Sequence, residues 1–379
     1  MSTQWCFHAA TTAKFFFILT WIAAICRGGA EARLEPGNQV GRWNNTYTLK
    51  TWSGYKDNVL FSAQHPVGSP FAAIGADVFL WRPPEQSWDV VLLASGEYTC
   101  YIPGSEVTKE VTAFGQVQAK RPLGDAWQFG ISLNYLFFDQ VFDNSEFDQA
   151  PSSLQLQGHT FTVQPSLRWK LSQGTFAEAE FTLSRQAFRA VVDGEWQAGP
   201  KFSLGRTYGN RSEIDLGILF IERQFDNRKP RSADGLSTVN KSLDFQQVEP
   251  FMAWKCHWDR DRHWRTSTRL SFLRNSDNDS GFFNYDRYRL AGQARYRGEN
   301  FQFRAELKLS YYEYALQHAG AADLSNRRRT LAFASIRAER ELAKDVKLFA
   351  EYSHERLLSN LRSDTFQANT LSAGIEVEF

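Results

Sequence analysis

Asn369-Thr-Leu-Ser-Ala-Gly-Ile-Glu-Val-Glu-Phe379 is the stretch that decides the fold class. Leu371, Ala373, Ile375, Val377 and Phe379 point to one side of an extended chain. Ser372, Gly374, Glu376 and Glu378 point to the other. A period of two with one fully apolar face is a strand that divides an apolar medium from a polar one. The same alternation recurs upstream. Phe161, Val163, Leu167 and Trp169 alternate with Thr162, Gln164, Arg168 and Lys170. Ala177, Ala179, Phe181 and Leu183 alternate with Glu178, Glu180, Thr182 and Ser184. Phe301, Phe303, Ala305, Leu307 and Leu309 alternate with Gln302, Arg304, Glu306, Lys308 and Ser310.

Carried along the chain, the pattern predicts sixteen strands, broken by turn residues: 43–55, 71–82, 88–102, 109–121, 127–141, 158–171, 176–190, 196–208, 213–226, 242–256, 264–275, 282–297, 301–316, 328–342, 346–358 and 367–379. The connections alternate in length. The long ones, such as 56–70, 142–157 and 227–241, fall at one end, and tight turns such as 122–126, 172–175 and 298–300 fall at the other. Long loops on one rim and short turns on the other are the pattern of a transmembrane β-barrel. Trp81, Trp88, Trp127, Trp254 and Trp264 flank the short turns, where amphipathic rings suit a membrane–water interface.

Composition agrees. The 379 residues carry 12 Trp, 13 Tyr and 31 Phe, yet mean hydropathy is only −0.44. A helical membrane protein needs a strongly apolar average, whereas barrel strands are half polar. Lys plus Arg (43) nearly balances Asp plus Glu (42), which argues against a nucleic-acid partner.

Lys14, the apolar run Phe15 to Ile25, and Ala30-Glu31-Ala32 read as a secretory signal cleaved after residue 32. The expected organisation is a signal peptide at 1–32, a short periplasmic segment at 33–42 and an outer-membrane barrel at 43–379. Cys6 and Cys26 leave with the signal, and Cys100 and Cys256 are expected as free thiols on distant strands.

Together the signal, the alternating strands and the last strand resemble bacterial outer-membrane β-barrel proteins. Ser53-Gly-Tyr-Lys-Asp-Asn-Val59 resembles the first hairpin of porin-like barrels of uncharacterised families. The resemblance implies an all-β, antiparallel up-and-down barrel set among outer-membrane lipid and lipopolysaccharide. It also implies that Phe379 is read by the barrel assembly machinery. Polysaccharide exporters of this kind carry long helical-repeat periplasmic domains, and only about ten residues lie here between Ala32 and the first strand.

No catalytic set emerges, so the chain is not expected to be an enzyme or to need a metal or cofactor. His257 and His263 lie in a Trp- and Arg-rich turn without a nucleophile motif. Asn275-Ser-Asp-Asn-Asp-Ser-Gly281 has spaced oxygens but lacks the distal Glu of a helix-loop-helix calcium site, and reads as a solvated loop.

Strand parity gives the functional expectation. Arg265, Arg269, Arg287, Arg289, Arg295, Arg304 and Lys308 share the polar face and form a candidate basic patch. Glu178, Glu180, Glu376 and Glu378 form a candidate acidic face. Two readings follow: a transverse field across a water-filled pore, or an ion-pair lattice that fills the barrel. Sixteen strands leave an aqueous channel, which favours a pore for small hydrophilic solutes. The alternatives are an export conduit working with a periplasmic partner, and a non-conducting surface barrel whose loops bind a ligand.

Overall fold

A computed structural model describes residues 43–63, 65–83, 88–102, 107–143, 153–189, 193–209, 212–238, 241–320 and 323–379, with the backbone alone at 142, 143, 153, 154 and 362. The expected signal and the segment at 33–42 lie outside the described residues.

Sixteen strands run in chain order: β1 (Asn44–Lys56), β2 (Ser69–Arg82), β3 (Asp89–Tyr101), β4 (Lys109–Leu123), β5 (Trp127–Asp143), β6 (Ser153–Ser172), β7 (Thr175–Phe188), β8 (Glu195–Tyr208), β9 (Ser212–Phe225), β10 (Asp244–His257), β11 (Trp264–Asp277), β12 (Tyr285–Arg297), β13 (Phe301–His318), β14 (Asn326–Ala343), β15 (Val346–Ser359) and β16 (Phe366–Glu378). Each pairs antiparallel with its sequence neighbours, and β1 pairs with β16 to close the barrel. Backbone polar groups cannot stay unpaired in hydrocarbon, and closure leaves no free edge. The last residue takes part: Phe379 and Tyr47 exchange backbone hydrogen bonds of 2.8 and 3.3 Å across the seam.

Register fixes the two faces. Directly opposed residues in neighbouring strands project to the same side. Following the pairs Glu376↔Lys50↔Gly75↔Glu97↔Thr112 keeps one polar set together across the seam. The other parity holds Leu133, Phe161, Phe181, Phe202, Leu216, Met252, Leu270, Leu307, Ile336 and Leu371, all exposed on the outside. A ring of exposed apolar side chains on a closed barrel is a lipid-facing belt. Sixteen strands about 4.8 Å apart, tilted by about 40°, give a backbone diameter of about 32 Å.

Aromatic pairs mark the short-turn rim. Trp127 stacks on Trp169 (5.3 Å, 9°), Trp264 meets Tyr296 (4.8 Å), and Trp88 meets Phe129 edge-on (6.1 Å). The Trp254 indole N–H donates to Tyr208 Oη at 2.5 Å. Trp81 is a correction to the expected belt. It is paired with Asn44 and Val91, shares the parity of Asp77, and therefore lies on the inner side, with its indole N–H donating to Asp89.

Two strand starts differ from expectation. β6 begins at Ser153, not 158, because 155–157 keep pairing with 139–141 above the belt. β12 begins at Tyr285 because Phe282 and Phe283 turn away into a cluster with Phe225, Leu243 and Phe245. The 3₁₀ turn Arg362–Asp364 carries no alternation that would announce it. Its Asp364 forms a fully buried ion pair with Arg327 at 2.5 Å.

Candidate functional site

The inner wall carries the chemistry. Register places Arg265, Arg269, Arg287, Arg289, Arg295, Arg304 and Lys308 all on the inner side of β11–β13. Arg265, Arg295, Arg304 and Arg337 are consecutive direct partners across β11–β14, a row of four guanidiniums. Like charges directly opposed across strands cost stability. A dry wall would not carry such a row; a wet one screens it.

The seven are not equivalent. Arg269 and Arg287 share Glu249 of β10, at 3.0 and 3.1 Å. Lys308 lies 2.7 Å and Arg304 3.7 Å from Glu306. Arg295 donates to Gln302 at 3.1 Å. Among the described residues Arg265, Arg289 and Arg295 have no carboxylate within ion-pair distance. The basic excess is therefore these three, not all seven.

The acidic candidates are each held by a cation. Glu178 meets Arg168 at 2.8 Å and Glu180 meets Lys201 at 3.7 Å. Glu376 meets Arg337 at 3.1 Å, and Glu378 meets Lys347 at 3.1 Å. This part of the wall follows the lattice reading and presents little net field.

A repeated unit went unread in the sequence. In each case an inward glycine faces an aromatic ring on the next strand, and the ring lies down over it. Phe176 lies over Gly205, Phe251 over Gly217 and Phe349 over Gly374. A Cβ at Gly217 would stand 2.5 Å from Phe251 Cζ, and one at Gly374 2.8 Å from Phe349 Cζ. An arginine from the strand beyond then stacks on the ring. Arg168 lies 3.8 Å from the Phe176 centroid, Arg269 4.0 Å from Phe251, and Arg337 3.9 Å from Phe349. Each of these arginines also pairs with a carboxylate two residues from the ring: Glu178, Glu249 or Glu351. Stacking and pairing together fix three guanidiniums flat against the wall. The signal that could have found them is a glycine on the polar parity opposite an inward phenylalanine.

Across the barrel, β4–β7 carry an uncharged band, bounded toward the short turns by Lys120, Arg168, Glu178 and Glu180. The Gln116 amide donates to Ser132, Asn134 donates to Ser132 and Gln164, and Gln164 donates to Thr182, at 3.0 to 3.3 Å. Thr162 and Ser184 share a bond of 2.8 Å. β4 is eight strands from β12, so the two walls face each other.

The long-loop mouth is narrowed from two sides. Loop residues Val59, Leu60 and Phe61 pack on inward Trp52, Phe71, Ala73 and Tyr101, and Phe61 meets Phe366 at 5.1 Å. On the far side Leu243, Phe282 and Phe283 pack on inward Phe225 and Phe245. β1 and β9 are eight strands apart, so the loops approach from opposite walls. The 56–70 loop thus folds inward, a point its sequence left open; most of 142–157 lies outside the described residues.

The remaining sequence candidates are turns. Asp259 accepts backbone hydrogen bonds from His263 and Trp264 and closes the 258–263 turn. Asp277 accepts from the backbone of Asp279, Gly281 and Phe283, so its oxygens fold the loop. Cys100 and Cys256 are free.

No protein-family model and no curated protein matches this chain. Solved structures do. The outer membrane protein OpdK from Pseudomonas aeruginosa matches at TM-score 0.45 and 9% identity, covering 89% of this chain and 99% of that one. OccAB3 from Acinetobacter baumannii matches at TM-score 0.46 and 8% identity, with 89% and 99% covered. A BenF-like porin from Pseudomonas fluorescens Pf-5 matches at TM-score 0.44 and 9% identity, with 90% and 100% covered. The first of these is an outer membrane protein and the last a porin.

Proposed function

We propose that the protein is a channel of the bacterial outer membrane that passes small hydrophilic solutes and favours anions. One observation carries the reading: a closed sixteen-strand wall is apolar outside and polar inside, and its inner side keeps Arg265, Arg289 and Arg295 without carboxylate partners among the described residues. A barrel of this strand number leaves an aqueous bore. Low dielectric around that bore concentrates the field of the free cations. The inward loops act as the size filter, and Arg265, Arg289 and Arg295 draw anions past it. The chain reaches its membrane by secretion, with cleavage near Arg33 and Phe379 as the assembly signal.

Reconstitution into planar bilayers tests this. The expected result is a steady open conductance with anion preference at low salt. A correctly refolded barrel that never conducts would overturn the reading and leave a surface barrel in its place. Recovery of the native protein from the soluble periplasm would overturn the location.

A further inference from the structure

Three of the rings laid over inward glycines are capped by arginine; that of Trp52 is not. Trp52 of β1 lies against Gly75 of β2 and Gly374 of β16. A Cβ on Gly75 would come within 3.2 Å of its ring, and one on Gly374 within 2.5 Å of Trp52 Cβ. Those glycines let the indole lie along the wall. Among the described residues no cation sits over it, and its N–H has no acceptor.

The ring borders a recess of about 260 Å³ at the seam where the barrel closes. Ser353, Thr370 and Ser372 bring hydroxyls to it from β15 and β16, and among the described residues these make no protein hydrogen bond. Glu97 reaches it from β3, also without a hydrogen bond or ion pair. Glu351 completes the acids, while Lys50 and Arg337 bring two positive charges that are already paired, Lys50 with Asp77 and Arg337 with Glu339, Glu351 and Glu376. The inward loop packs beside it, on Trp52 and Phe71.

We infer that this recess is a binding subsite for one six-membered ring of a neutral sugar. A sugar ring offers an apolar C–H face and a rim of hydroxyls. Here the indole supplies a flat apolar surface that is not capped by a cation. Glu97 and Glu351 accept from hydroxyls, and the serine, threonine, indole and cation donors give to them. Cations already paired with carboxylates disfavour a bare anion, and the free donors and acceptors disfavour a purely apolar guest. The subsite rests on the channel reading for its biological use, but not for its chemistry.

Maltotriose is the probe, with mannitol as the control that has hydroxyls but no ring face. Single-channel recording and isothermal calorimetry on the micelle-folded barrel are run side by side. The expected result is that maltotriose interrupts the current and binds in calorimetry, with mannitol at least tenfold weaker. Trp52→Ala should weaken maltotriose at least tenfold, and Trp52→Phe should recover part of it. Glu97→Leu, at a side chain that holds nothing in the fold, should weaken it without affecting refolding; it decides the matter if Trp52→Ala fails to fold. Calorimetric binding without any conductance would overturn the channel and keep the subsite. A conducting barrel that ignores maltotriose, or binds it equally in the Glu97→Leu variant, would overturn the subsite and keep the channel.

Discussion

The inner wall of β4–β7 and that of β11–β13 occupy opposite sides of one barrel and obey the same backbone rules, yet they differ in nearly every side chain. The first holds a band that closes on itself: Gln116, Ser132, Asn134, Gln164 and Thr182 satisfy one another and carry no charge, with the paired Arg168, Glu178 and Glu180 set toward the short turns. The second sets arginine opposite arginine from Arg265 to Arg304 and leaves part of that charge unneutralised. Folding explains the amide wall, since buried or half-buried polar groups want partners. It does not explain the arginine row, which costs stability. The difference teaches where selection for function acts. Lipid dictates the outward parity, whereas the inward parity is free to differ from sector to sector.

The comparison presumes that the faces are assigned correctly, and that gives the largest expected effect. Leu307 faces lipid in mid-strand, so Leu307→Arg should cost about 2–4 kcal/mol in a refolding titration. Gln116→Arg, on the amide wall, should cost far less. Parity alone suggests Ser310 as an equally harmless site. The structure says otherwise: Ser310 is buried and directly opposes Arg289, so Ser310→Arg should fall between the two. Equal tolerance at Leu307 and Gln116 would reverse the faces.

Next in size is the glycine that seats a ring. Gly217→Ala puts a methyl 2.5 Å from Phe251 Cζ and pushes the ring off the wall, with overpacking worth about 1–3 kcal/mol. Gly115→Ala, whose Cβ would meet nothing within 4 Å, is the matched control and should be near neutral. Thermal or denaturant unfolding of the pair separates them. Similar losses would mean that the laid-down ring is incidental.

The walls themselves are compared by ion selectivity. Replacing Arg265, Arg289 and Arg295 with Ser should shift the zero-current potential toward cations. Replacing Gln116, Asn134 and Gln164 with Ser should leave it in place. The wild-type bias should be large at 0.01 M salt, where the Debye length is about 30 Å, and small near 1 M, where it is about 3 Å. A triple arginine variant with wild-type selectivity would deny the basic wall its role as filter.

The legible and illegible parts of the molecule divide along a physical line. Strand number, order and most ends are visible because every residue of a barrel strand reports its medium: Leu307 between Glu306 and Lys308 can face only one way. Inward placement of Arg265 through Lys308 follows from the same rule. What parity cannot give is neighbourhood across strands. Glu249 neutralises Arg269 and Arg287 from a different strand, and Gly217 seats Phe251 from another. Both depend on register, which loop lengths leave open. Trp81 shows the limit of composition near turns: a ring beside a turn suits either face until its partners Asn44 and Val91 are known. The inward loop was equally hidden, since Val59 and Phe61 find their partners on β2, β3 and β16.

The smallest expected effect probes why the wall uses arginine at all. Arg168→Lys keeps the charge beside Glu178 but loses the planar group that stacks on Phe176 at 3.8 Å. Arg168 is partly exposed, so the stacking is worth about 0.5–1 kcal/mol and the exposed ion pair no more than that. Unfolding should therefore shift only slightly, while ion selectivity should not move, because the net charge of the wall is unchanged. Open-channel current noise gives the sharper measurement. A lysine on a flexible stem samples more of the bore than a guanidinium held between a ring and a carboxylate. Excess noise in Arg168→Lys, absent from wild type, is the expected mark of a wall that was rigid by construction. Unchanged noise with unchanged stability would mean that Phe176 lies over Gly205 for its own packing, and that the arginine above it is a passenger.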